Sequence, residues 1–129
     1  METKKRVLIV TDGTDQIKVI AELIASCLTD SDVKICQAES FAGTDLLPAH
    51  IFFLGCENPN PESFQYLSQM LAHINLANRR CGVFSNNTKA LKYLSGLVMD
   101  CEASLGEPLL AGDTAIKPAD VKKWLKGIL

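Results

Sequence analysis

No stretch of the chain approaches the roughly 18 to 20 consecutive apolar residues that a membrane helix needs. The first apolar run, Val7 to Val10, follows Met1-Glu2-Thr3-Lys4-Lys5-Arg6 and is short, so neither a signal peptide nor a membrane partner is expected. Strong basic clusters are also missing. Lys4-Lys5-Arg6 and Lys122-Lys123 are brief, net charge is −2 and the pI is about 5.6, which argues against nucleic acid as a partner. The chain has no C-x-x-C pair. Cys27, Cys36, Cys56, Cys81 and Cys101 are odd in number and widely spaced, which argues against both a disulfide framework and a zinc site. Reduced thiols in a cytoplasmic protein are the expectation. His50 and His73 belong to no ligand spacing, so no metal site is expected.

What remains is an ordinary globular composition, 47% hydrophobic and 22% charged over 129 residues. That length suits one domain with a real core, spanning 1–129. Short apolar runs alternate with amphipathic ones. Arg6 to Val10 and His50 to Gly55 read as strands buried on both faces, and Val33 to Cys36 as a half-buried edge strand. Cys81 to Phe84 and Leu109 to Ala111 complete five β units. Ile17, Ile20, Ala21, Ile24 and Leu28 recur at helical spacing. Asn60-Pro61-Glu62 reads as the start of a helix capped by Asn60, with Phe64, Leu67, Leu71 and Ile74 inward. Asn87 caps a helix carrying Leu91, Leu94 and Leu97. Pro118 opens a last helix with Val121, Trp124, Leu125 and Ile128 inward. Ser40 to Pro48 reads as a loop or broken helical turn.

Strands alternating with helices at this length imply a three-layer α/β/α fold. Its centre is a doubly wound, five-stranded parallel sheet of order 2-1-3-4-5. Ligands of such folds sit at the carboxyl ends of the strands, near the switch between the first and third. The loops to read are therefore Thr11 to Gln16, Gly55 to Pro61, Ser85 to Asn87 and Gly112 to Pro118.

In the first loop, N–H groups at a helix start, hydroxyls of Thr11 and Thr14, and Gly13 suit an anion. Asp12 and Asp15 oppose one unless they point away, and simple capping by Asp12 or Thr14 is the alternative. Cys56 stands at a strand end but lacks a following Arg loop and a neighbouring His. It reads as a buried thiol rather than a nucleophile, and no catalytic residue is assigned. Ser85, Asn86 and Asn87 can either bond a ligand's heteroatoms or cap the next helix.

The stretches VLIVTDGTDQIKVIAELIA, AGTDLLPAHIFFLGCENPNPESF, CGVFSNNTKALKYL and LGEPLLAGDTAIKPADVKKWL resemble the flavodoxin-like family along essentially the whole chain. The resemblance implies an FMN-binding electron-transfer protein working with redox partner proteins, as a monomer or weak dimer, its acidic surface lowering the flavin's potential. It implies that Thr11, Gly13, Thr14 and Gln16 cradle the FMN phosphate and that Cys56, Glu57, Asn58, Ser85 and Asn86 line the ring. Asp12, Asp15 and Asn87, in the same loops, complete the cofactor-binding set. The family's phosphate loop is roughly T-x-T-G-x-T, of which Thr11, Gly13 and Thr14 are matched. The loop is about one residue short and Asp15 replaces a neutral donor. Aromatic side chains that commonly stack on the flavin are missing from Cys56 to Pro61 and from Ser85 to Thr88. The flavin-binding loops are thus weakened, and a flavin-free regulatory or protein-interaction domain is the alternative. VLIVTDGTD and AIKPADV also resemble phospho-receiver segments, but the third strand ends Leu54-Gly55-Cys56 and leaves phosphotransfer without an acceptor.

Overall fold

The computed structural model describes residues 5–40, 49–77, 79–111 and 117–128. Strand β1 (Lys5–Thr11) feeds helix α1 (Asp15–Ser26), and β2 (Ser31–Gln37) follows. A 3-10 turn, Ala38–Ser40, closes β2. Strand β3 (Ile51–Gly55) leads through a second 3-10 turn, Glu62–Phe64, into α2 (Gln65–Ala72). Then come β4 (Arg80–Ser85), α3 (Thr88–Asp100), β5 (Ser104–Leu105), β6 (Leu109–Leu110) and α4 (Pro118–Lys126). The expected loop at 40–48 falls, after Ser40, outside the described residues, as does most of the expected loop at 112–118.

All strand pairs are parallel, in the order β2-β1-β3-β4-β5, with β6 also on β4. The expected order 2-1-3-4-5 is therefore present, with its fifth position split. Ser104 and Leu105 pair with Arg80 and Cys81, whereas Leu109 and Leu110 pair with Phe84 and Ser85. Residues 106–108 interrupt the run. A Ser-Leu pair carries too little apolar pattern for β5 to be read from sequence.

Side-chain alternation in the central strands divides the core between the two faces. Val7, Ile9, Ile51, Phe53 and Phe84 pack with Ile17, Ile20 and Ile24 of α1 and with Val121 and Leu125 of α4. Leu8, Val10, Phe52, Leu54, Cys81 and Val83 pack with Leu67 and Leu71 of α2 and with Leu91, Leu94 and Val98 of α3. Trp124 stays partly buried, its ring centroid 5.4 Å from that of Phe53, with Nε1–H donating to the Glu107 carbonyl at 2.5 Å. Asn60 is not the expected cap. It adopts φ 50°, and Pro61 takes the flanking position before a 3-10 turn without any side-chain cap. Asn87 does cap α3, its Oδ1 accepting the Lys89 N–H at 2.9 Å.

The strand register sets up the functional end of the sheet. Thr11 lies beside Gly55 and Gly55 beside Phe84, so β1, β3 and β4 end in one row. Gly55 is required there because a Cβ at this position would lie 2.3 Å from the Phe84 ring. Among the described residues, no helix is long and apolar enough to cross a membrane.

Candidate functional site

The loops after β1, β3 and β4 are tied to one another by their own polar groups. Thr11 is buried, and its Oγ1 accepts the Gly13 N–H at 3.3 Å. Gly13 takes φ +83°, a conformation that glycine adopts without steric cost. That turn brings Thr14 back towards Asp12. Oδ1 of Asp12 accepts the Thr14 N–H at 3.1 Å and the Thr14 hydroxyl at 2.7 Å. Oδ2 accepts the Glu57 N–H, from the loop after β3, at 2.8 Å. The Asp12 carboxylate therefore points inward and takes up donors that an incoming anion would use.

This arrangement corrects the capping alternative. Thr14 holds the N-cap position of α1 but makes no side-chain cap bond, since its hydroxyl serves Asp12. The first N–H groups of α1 are left without a side-chain cap, at the positive end of the helix dipole. Asp15 and Gln16 are exposed in the first turn.

The third loop joins the other two. Ser85 is fully buried, donates to the Cys56 carbonyl at 2.6 Å, and accepts the Asn87 N–H at 3.0 Å. The Asn86 amide nitrogen donates to Gln16 Oε1 and, at 3.4 Å, to Glu57 Oε1. Because a carboxylate oxygen can only accept, Glu57 fixes which end of the Asn86 amide is nitrogen. The other end, Oδ1, is buried without a hydrogen-bond partner among the described residues. Such an atom is costly to leave unmet, by about 1–3 kcal/mol.

Cys56 is buried beneath this junction. Burial, with the nearby Asp12 charge adding to it, pushes its thiol up to about 12. It is held as a neutral thiol, in keeping with its reading as a non-nucleophile. Of the residues singled out in sequence, Thr11, Asp12, Gly13, Thr14, Gln16, Cys56, Glu57, Ser85, Asn86 and Asn87 take part in these contacts. Asp15 and Asn58 sit exposed at the rim. Sequence reading missed that Asp12 bonds the Glu57 backbone. The signal for it was an acidic residue in an otherwise anion-friendly turn. No metal-binding cluster of His, Cys, Asp or Glu occurs among the described residues.

The junction fits the two ends of an FMN molecule unequally. The unmet Asn86 Oδ1 and the uncapped start of α1 suit a ring N–H donor and an anion, respectively. Asp12 opposes the anion, and residues 55–61 and 85–88 offer no side-chain stacking face beyond the strand-end core.

No protein-family model and no curated protein sequence matches the chain. Solved structures do. A flavodoxin of Streptococcus pneumonia TIGR4 is 17% identical over 95% of each chain, with a TM-score of 0.79. A short-chain flavodoxin associated with a bacterial microcompartment is 14% identical, over 98% of this chain and 97% of that one, with a TM-score of 0.82. Oxidised flavodoxin 2 from Bacillus cereus is 18% identical, over 95% and 96%, with a TM-score of 0.78. Over essentially its whole length, the chain is flavodoxin-like in fold.

Proposed function

We propose that the chain is a flavodoxin-type electron carrier that binds FMN with a weakened grip. Its site is the junction of residues 11–16, 55–58 and 85–87. When bound, the flavin supplies one-electron transfer. The residues around it hold and orient the ring and keep water from its edge. The observation that carries this reading is Asn86 Oδ1, a buried acceptor with no partner among the described residues, where three loops meet at the switch point of the sheet. A ring N–H reaching this atom would satisfy it. At the other end of the ligand the uncapped start of α1 favours an anion but the Asp12 carboxylate beside it opposes one, which is why the grip on FMN is weak. Redox partner proteins would meet the carrier at this end of the sheet, the chain acting as a monomer or weak dimer.

The test is an absorption spectrum of freshly purified protein followed by an FMN titration read by fluorescence quenching. Saturable quenching that weakens at least tenfold in Asn86→Ala, with an unchanged circular dichroism spectrum, is expected. Protein without flavin absorption and without quenching at millimolar FMN overturns the reading.

A second reading is favoured by Asp12, whose carboxylate already satisfies the first loop, and by the lack of aromatic side chains in the second and third. In it the chain is a flavin-free regulatory or protein-interaction domain.

A further inference from the structure

The three bonds to Asp12 have a consequence for which ligand the junction selects. Oδ1 holds both donors of Thr14, and Oδ2 holds the N–H of Glu57. These are donors from two different loops, converging on one carboxylate. A phosphate ester placed at the start of α1 would compete with that carboxylate for Thr14 and stand beside its negative charge. Opposite charges attract and like charges repel most strongly where solvent is thin, and Asp12 is partly shielded from it. These three loops bring no basic side chain of their own. Residues 11–16, 55–61 and 85–88 contain Asp12, Asp15 and Glu57 but no lysine or arginine. The helix dipole is worth a fraction of a full charge and cannot neutralise a dianion against these three.

We propose that Asp12 is a built-in anion, and that it makes this junction select an uncharged flavin over its phosphate ester. The inference rests on the flavin reading for its ligand, but the exclusion of phosphate by Asp12 stands separately. The ring end of the junction, with the unmet Asn86 acceptor, lies on β4's loop and is not bonded to Asp12 directly. Selection thus acts more strongly on the phosphate than on the ring. Asp12 is a specificity-determining residue in this account, without any part in electron transfer.

The experiment titrates riboflavin, FMN and inorganic phosphate into the full chain and into Asp12→Asn and Asp12→Ser. Each variant is first checked by circular dichroism and thermal melting. Expected for the natural sequence is riboflavin binding at least as tight as FMN binding. In either variant, the ratio of FMN affinity to riboflavin affinity rises tenfold or more. Inorganic phosphate, followed by amide shifts of Thr14, Asp15 and Gln16 in nuclear magnetic resonance spectra, perturbs the variants saturably and the natural sequence not at all. FMN binding tenfold tighter than riboflavin in the natural sequence overturns the proposal. So does an FMN-to-riboflavin ratio that neither substitution moves. If no flavin binds any form, the flavin reading fails, and the phosphate arm alone decides the role of Asp12. Phosphate shifts in the variants uphold its role as the excluding anion, and their absence overturns it.

Discussion

The Asp12 carboxylate and the Glu57 N–H are separated by 45 residues in sequence and by 2.8 Å in the fold. This bond spans the crevice between β1 and β3, at the point where the winding of the sheet reverses. A charged acceptor makes it stronger than an ordinary amide bond. It ties the loop that starts α1 to the loop that leaves β3.

Asp12→Ala removes this tie and both bonds to Thr14. The freed N–H groups are only partly buried, so water recovers part of the loss. A decrease in stability of about 1–2 kcal/mol is expected from urea unfolding. Amide exchange at Glu57 and Thr14 should quicken more than exchange in β3, which localises the effect to the loops.

Gly55→Ala tests the close approach of β3 to β4. The new methyl would meet the Phe84 ring at 2.3 Å, and that ring is wholly buried against α1 and α4. The ring has nowhere to retreat, so a loss of about 1–3 kcal/mol is expected. Phe84→Leu combined with Gly55→Ala should cost less than the two single changes added together.

Thiol reactivity should divide the five cysteines. Cys27 and Cys36 are partly exposed, whereas Cys56, Cys81 and Cys101 are buried, and burial pushes all three of these thiols up. An aromatic disulfide reagent at neutral pH should titrate Cys27 and Cys36 quickly in the native protein. The buried three should react only as the chain unfolds in urea. Rapid labelling of Cys56 in the native state would contradict its placement.

Alkaline stability follows from the same thiols. Below about pH 9 the folded and unfolded chains both keep Cys56 protonated, and it contributes no pH dependence. Between 9 and about 12 the unfolded chain ionises there while the folded one does not. Stability must therefore fall as pH rises through that window, by up to about 1.4 kcal/mol per pH unit for this thiol. Cys56→Ala should flatten the fall of the urea midpoint with pH without abolishing it. Cys81, buried beside Cys101 and also pushed upward, retains its share.

The fold was legible where burial dictated composition. β1, β3 and β4 carry apolar residues on both faces because helices cover both, and such runs stand out in any sequence. The inward stripes of α1, α3 and α4 were equally plain, since one helical face must meet the sheet. Asn60 misled because its residue type suits a helix cap and a left-handed turn alike, and only the chain's path into α2 chooses between them. The site was legible as a set of loops and illegible as a set of bonds. Nothing local to Asp12 shows that its partner is a backbone group in another loop. Nor does the residue type of Asn86 show that its amide oxygen is left unmet.

The split between β5 and β6 bears on how the protein behaves in concentrated solution. A long unpaired strand at a sheet's margin invites a neighbouring molecule to add to it. At this margin the strands are two residues each, separated by Gly106, Glu107 and Pro108. Proline has no N–H to offer an incoming strand. The opposite margin, β2, runs for seven residues but sets Asp32 and Lys34 on its exposed face. One border of the sheet resists self-association by brevity and the other by charge. Loss of Pro108, or of the charges at Asp32 and Lys34, would accordingly raise the propensity to aggregate while leaving the crevice loops as they are.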